Sequence, residues 1–327
     1  MKIRSFNTIS IDDNIVTKRS DNRKLLDEIN WYKRISDCSL SCISKVHIPD
    51  IYDYGKVGRK YFYSLDKIDG ELLSDIYMKN IDDLKRQLYI LSKALLVVTE
   101  LRNLKPLYLS KKECAELIQK ECLDKTINRL NQYQKFSELK HLEIEVNFEK
   151  ISSFDMLWKK LVNTVKTLSV KSRRYFSVIH GDLNYSNIFL SEKISIIDPK
   201  GRFGEQISIH GDYRYDLAKI RQSYHSGYFQ VLHNRYKILK EDNILKIKIL
   251  DYPSQDIIDR LDDKIEEYGV KLLEIQFFES LLLLSLIPLH SENRELQIIM
   301  YIIGVAMLNK TLNKEVYKMD TELIVRW

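Results

Sequence analysis

The sequence predicts an α+β chain of two lobes: a small N-terminal antiparallel sheet with one helix, then a large, mainly helical C-terminal lobe. Three observations carry this. Runs of β-compatible residues between polar turns fall at 2–6, 14–18 and 60–65. Residues 22–35 set Leu25, Leu26, Ile29 and Tyr32 toward one side at helical spacing. From Ser74 onward the pattern turns helical, with apolar residues recurring at three and four over 81–101, 111–131 and 154–168. The expected division is 1–68 and 69–327.

The rest of the chain follows the same logic. Short apolar runs at 177–179 and 194–197 read as strands within the second lobe, and 213–228, 254–268, 270–286 and 294–313 read as helices. Pro288 should end or bend the apolar helix before it. Helices and strands do not alternate as an open parallel sheet requires, which argues against a doubly wound fold.

Length and composition bound the function. A chain of 327 residues supports a substantial core and two subdomains. Its 52 basic and 46 acidic residues give a net charge of +6, but the charges are interspersed. Such a surface is solvated, and no basic stripe with interleaved aromatics points to nucleic acid. The N-terminus has no long apolar leader, and the apolar stretch 281–289 is too short to cross a bilayer. A cytoplasmic protein without membrane insertion is expected. Cys38, Cys42, Cys114 and Cys122 fit reduced, inert thiols, and no zinc spacing accompanies them.

Residues 180–219, HGDLNYSNIFLSEKISIIDPKGRFGEQISIHGDYRYDLAK, carry the chemistry. Asp182 and Asn187 stand five apart after one apolar strand, and Asp198 follows the next. A carboxylate beside an acceptor hydroxyl can take or orient its proton. An amide oxygen and a second carboxylate are hard ligands suited to Mg2+ against nucleotide phosphates. The order is that of metal-assisted phosphoryl transfer, with Asp182 as base and Asn187 and Asp198 as metal ligands.

This segment resembles the catalytic loop of the aminoglycoside phosphotransferase and choline kinase superfamily, whose fold is protein-kinase-like and whose members phosphorylate small hydroxylated molecules. Gly181, where protein kinases usually carry Arg, favours that branch. The run 211–219, GDYRYDLAK, is similar to a version in bacterial kinase-like proteins associated with capsule and surface-polysaccharide synthesis.

The resemblance implies that 1–68 binds ATP or GTP and that 69–327 holds the catalytic and acceptor sites. Lys18, held by Glu28, would contact the phosphates. The segment 5–14, which lacks Gly, would be the loop ahead of it. Backbone groups of Asp66, Lys67 and Ile68 would read the purine edge where the lobes join, with Gly70 giving a pliable turn. His180 would hydrogen-bond the Asp198 loop and not act as a base, and Asp216 would support the catalytic loop. Lys200 and Arg202 stand as candidate phosphate or substrate contacts or as solvated loop cations. Asp212 stands as a support similar to Asp216 or, instead, as a substrate contact, and His290 and Arg294 stand as possible acceptor contacts or as helix-end charges that offset the dipole.

The expected function is a magnesium-dependent kinase acting on a hydroxyl of a small molecule, a sugar or sugar derivative foremost. An aminoglycoside or amino-alcohol acceptor is the alternative within that class, and a nucleotide-binding pseudokinase or scaffold is the alternative outside it. A protein kinase is disfavoured, because thirteen residues separate Asp198 from Asp212 and no Ala-Pro-Glu element follows.

Overall fold

The structure is a computed structural model that describes residues 7–38, 43–104 and 109–327. The strand expected at 2–6 and the thiol of Cys42 lie outside the described residues. The chain opens with a four-stranded antiparallel sheet in the order Asn7–Asp12, Ile15–Ser20, Lys60–Asp66, Ile51–Val57. Its first two strands join through Asp13 and Asn14, with Asp13 left-handed at φ 47°, as a tight hairpin requires. The segment ahead of Lys18 is therefore mostly an edge strand and a turn, which corrects its reading as a loop.

Helix Lys24–Ser36 lies against this sheet and buries Leu25, Ile29, Trp31, Tyr32 and Ile35. Strand Ile51–Val57 gave no clear signal in the sequence because it is an outer strand with an irregularity between Ile51 and Asp53 and mostly exposed side chains.

A second sheet, ordered Val46–His47, Ile194–Ile196, Ile188–Leu190, Glu71–Leu72, pairs two early segments with the two strands that flank the metal-loop residues. Val46–His47 runs parallel to Ile194–Ile196, so pairing crosses a strictly linear division of the chain.

The helices begin and end where local chemistry dictates. Leu84–Arg102 starts three residues later than periodicity suggests, because the Asp83 side chain caps it by accepting the Arg86 amide. Lys111–Gln119 opens with a capping box between Ser110 and Glu113 and continues through a π turn at Lys120–Asp124 into Lys125–Leu130. The helix expected over 213–228 is two, Tyr213–Tyr224 and Tyr228–Leu232, divided at Gly227 with φ +66°. Pro288 ends the apolar helix Leu272–Leu286 in a 3-10 turn, as expected.

The segments Leu272–His290 and Arg294–Leu312 have mean hydropathy of 1.7 and 1.2 over spans of 19 residues, long and apolar enough to cross a membrane. This corrects the length argument made from 281–289. Both pack within the helical part, 72% buried, and form its core.

A five-stranded antiparallel sheet was not anticipated: Tyr236–Glu241, Ile244–Ile249, Glu322–Arg326, Ile144–Val146, Glu149–Ile151. Its clearest signal is in Ile244–Ile249, where Leu245, Ile247 and Ile249 are buried at period two.

Candidate active site

Lys18 lies on strand Ile15–Ser20 directly opposite Tyr63, and its side chain is buried. Its ammonium sits 2.8 Å from Glu28 Oε2 and 3.1 Å from Asp198 Oδ1. The expected Lys18–Glu28 pair is thus formed, and it reaches the proposed metal carboxylate. Burial pulls the Lys18 pKa down, but the carboxylates of Asp198 and Glu28 outweigh it and hold the group above its ordinary value. Burial lifts Glu28 to about 7 against the attraction of Lys18. Tyr63, which the sequence reading passed over, adds a hydroxyl 2.8 Å from Glu28 Oε2 and 3.3 Å from Asp198 Oδ1. Only the cross-strand register reveals it.

Asp198 adopts φ +56°, a left-handed conformation uncommon for a residue with a side chain. The loop before it is held by His180, whose Nε2 donates to the Ile197 carbonyl at 2.8 Å while Nδ1 accepts the Asp182 amide at 3.3 Å. One ring therefore ties the loop before Asp198 to the loop that carries Asp182 in one tautomer. Burial takes the imidazole down to about 4, against the Asp182 carboxylate, so it is neutral and a donor at Nε2. That is its expected role. Trp31 reaches the same place from the first helix, donating Nε1–H to the Ile179 carbonyl at 2.8 Å.

Asn187 donates Nδ2–H to the Asp182 carbonyl at 2.8 Å, which leaves its amide oxygen as the end suited to a cation. Together with Asp198 this is an all-oxygen pair that fits magnesium when nucleotide phosphates complete the shell. Among the described residues no group of three His, Cys, Asp or Glu side chains is placed to hold a metal by itself. The ion here would be shared with the nucleotide.

Asp216 accepts the His180 amide at 2.8 Å and the Gly181 amide at 2.7 Å, as expected of a support for the catalytic loop. Burial raises its pKa to about 7 against those two donors. The carboxylate of Asp182 also meets Lys219, 3.0 Å from Oδ1, a residue missed in sequence. Its signal was available, since Lys219 stands one helical turn beyond Asp216.

Other expected contacts are redirected. Lys200 donates to Glu121 Oε1 at 2.6 Å, and Glu121 also pairs with Lys125 and accepts the Gly204 amide. Burial lowers the Lys200 pKa in spite of Glu121. The Arg202 fork is occupied by Asp27, and its Nη1 by the Glu205 carbonyl at 2.8 Å. Both cations are already paired, Lys200 in a largely buried cluster and Arg202, still 38% exposed, with Asp27, so neither is poised for a ligand in this arrangement.

Asp212 is fully buried, caps the helix Tyr213–Tyr224, and grips Arg214 Nε at 2.9 Å and Nη2 at 2.6 Å, so it does not reach an acceptor. His290 is buried beside Tyr228, with Nε2 3.2 Å from its hydroxyl. Arg294 is exposed at the first turn of Arg294–Leu312, the end where a cation opposes the helix dipole, which corrects that reading. The Lys67 amide donates to the Asn14 carbonyl at 2.7 Å, which withdraws it from the purine-edge set. Asp66 accepts from the Tyr52 hydroxyl, and Ile68 is half-buried. Gly70 is less a pliable turn than a tight one: at φ +132°, an added Cβ would meet the Leu190 carbonyl oxygen at 2.6 Å.

No family model matches the sequence, and no curated protein does. Solved structures do. The chain is similar to a thermostable mutant of aminoglycoside phosphotransferase APH(4)-Ia in its apo form, with a TM-score of 0.55, 8% identity, and 91% of this chain and 88% of that one covered. It is similar to APH(2")-IIia in complex with GDP and kanamycin, at 0.54 and 16%, covering 96% and 92%. The fold is that of the aminoglycoside phosphotransferases. A ternary complex of the APH(4)-Ia mutant with ADP and hygromycin B agrees, at 0.53 and 9% identity over 93% of each chain. At such identities the likeness is one of the kinase-like fold.

Proposed function

We propose that the protein is a magnesium-dependent phosphotransferase that moves the γ-phosphoryl group of ATP or GTP to a hydroxyl of a small molecule, a sugar or sugar derivative foremost. The observation that carries this reading is the convergence of Lys18, Glu28 and Asp198 at 2.8 and 3.1 Å, tied through His180 to Asp182, whose carbonyl in turn accepts from Asn187. In this reading Asp182 accepts the hydroxyl proton as the acceptor oxygen attacks the γ-phosphorus. The bond from phosphorus to the β–γ bridging oxygen breaks, and its electron pair leaves with ADP or GDP. Asn187 and Asp198 would hold magnesium, which draws charge from the phosphates. Lys18 would bind them directly.

A sugar acceptor is supported by the resemblance of 211–219 to capsule-associated kinase-like proteins. An aminoglycoside acceptor is the second reading, favoured by similar folds solved with kanamycin and hygromycin B. A cytoplasmic setting, where both nucleotides are abundant, completes the proposal, and the buried free thiols of Cys114 and Cys122 agree with it.

The test is transfer of label from γ-labelled MgATP and MgGTP to a panel of sugars, sugar phosphates, polyols, amino alcohols and aminoglycosides. Labelling of a sugar or its derivative is the expected result. Transfer confined to aminoglycosides selects the second reading, and tight nucleotide binding with no transfer or hydrolysis selects a nucleotide-binding scaffold.

A further inference from the structure

We infer that Lys219 is a positioning residue for phosphoryl transfer, acting through Asp182; this rests on the proposed function. One face of the helix Tyr213–Tyr224 holds the catalytic loop residue by residue. Asp216 takes the amides of His180 and Gly181 at 2.8 and 2.7 Å, Lys219 meets the Asp182 carboxylate at 3.0 Å, and the Ser223 hydroxyl accepts the Tyr185 amide at 3.1 Å. These three stand at i, i+3 and i+7, a single stripe on a helix. The first and third fix backbone, and the second fixes the side chain of the proposed base.

Burial sets the division of labour. The Lys219 side chain is 7% exposed and that of Asp182 37%, so the base faces outward and the cation stands behind it. Lys219 is steadied in turn by Gln222 Oε1 at 3.4 Å. Phosphoryl transfer requires an anionic base close to an anionic phosphoryl group, and their repulsion opposes that approach. A fixed ammonium on Asp182 Oδ1 offsets the repulsion and selects one orientation of the carboxylate. The proton balance is unchanged: Asp182 takes the acceptor proton, and Lys219 keeps its own.

The experiment compares K219M, K219R, D182N and the K219M/D182N pair with wild type in MgATP and MgGTP turnover. The acceptor is the one found in the panel above or, without one, water. K219M is expected to lower kcat by about 100-fold, in the range of lost electrostatic preorganisation, with nucleotide Kd within about twofold of wild type. K219R should recover kcat to within about tenfold of wild type. K219M should add nothing in the D182N background, because the effect passes through that carboxylate. K219Q, which keeps a donor and removes the charge, carries the same prediction should K219M be unstable. A K219M or K219Q enzyme within about threefold of wild type, with D182N inactive, overturns the inference and leaves the proposed function standing. No turnover in wild type, or equal turnover in D182N, overturns both.

Discussion

Arg202 holds Asp27 through two parallel bonds, Nε to Oδ2 at 2.8 Å and Nη2 to Oδ1 at 3.1 Å. Asp27 precedes Glu28, the partner of Lys18, and Arg202 follows Asp198 by four residues. The fork therefore joins the helix that holds Glu28 against Lys18 to the loop that carries Asp198. Gly201 makes the approach possible. It sits at φ +65°, and an added Cβ would lie 1.9 Å from the Asp27 carbonyl oxygen.

The contact predicts that G201A cannot be absorbed locally, because the obstruction is backbone. The helix Lys24–Ser36 must shift, which displaces Glu28. G201A should lose stability by about 1–3 kcal/mol and most of its turnover, read by denaturant unfolding and single-turnover kinetics. R202Q keeps the close approach and leaves the buried Asp27 without its charged partner. It should cost about 1–2 kcal/mol and lower turnover less than G201A. Equal, near-zero effects of both would show that this junction does not align the site.

The Lys18 cluster separates charge from scaffold. K18M removes the proposed phosphate contact and should lower turnover by about 10²–10³-fold. Y63F removes only a hydroxyl shared between Glu28 and Asp198 and should cost about 0.5–1.5 kcal/mol of stability, with turnover reduced far less than in K18M. Comparison of kcat and unfolding free energy across the two variants checks this.

Local chemistry made part of this site legible in sequence. Asp182 and Asp198 follow strand ends, Asn187 stands five residues after Asp182 and just before the next strand, and Lys18 and Glu28 occupy a strand and the next helix. What sequence spacing does not encode is which distant groups share a register or a cavity. Tyr63 faces Lys18 only because strand Lys60–Asp66 pairs with Ile15–Ser20 in that register. Lys200 and Arg202 looked available because Glu121 and Asp27 are remote in the chain. Asp212 stood open between a structural support and a substrate contact because nothing local announced that its neighbour Arg214 would fold back onto it. In the five-stranded sheet Tyr236–Glu241 and Ile244–Ile249 form a local hairpin, but the strands that complete it, Glu322–Arg326, Ile144–Val146 and Glu149–Ile151, come from distant segments that no local pattern joins.

His180 makes stability depend on pH in a defined direction. Its imidazole titrates near 6.5 when unfolded and is held at about 4 by burial in the fold. Between those values the unfolded chain binds the extra proton. The stability linked to this residue is complete above about pH 6.5 and is lost as pH falls toward 4. Asp216 has the opposite sign: burial raises it from 3.8 to about 7, so its folded form keeps a proton that the unfolded chain releases. Its contribution declines as pH rises through that interval, and the two oppose each other in wild type. H180Q removes one of them. Denaturant unfolding at pH 7 and pH 5 should show wild type losing about 1–2 kcal/mol relative to H180Q on acidification. A constant difference between the two proteins would contradict a buried neutral imidazole.

The central claim is that Asp182 is the base for a phosphoryl group delivered on magnesium nucleotide. The most direct measurement is turnover of MgATP and MgGTP by wild type and D182N, alongside nucleotide binding, with EDTA as the metal-free control. The account predicts turnover in wild type that EDTA abolishes, a loss of about 10²–10⁴-fold in D182N, and nucleotide affinity changed by no more than about twofold. Wild-type turnover in D182N would contradict it.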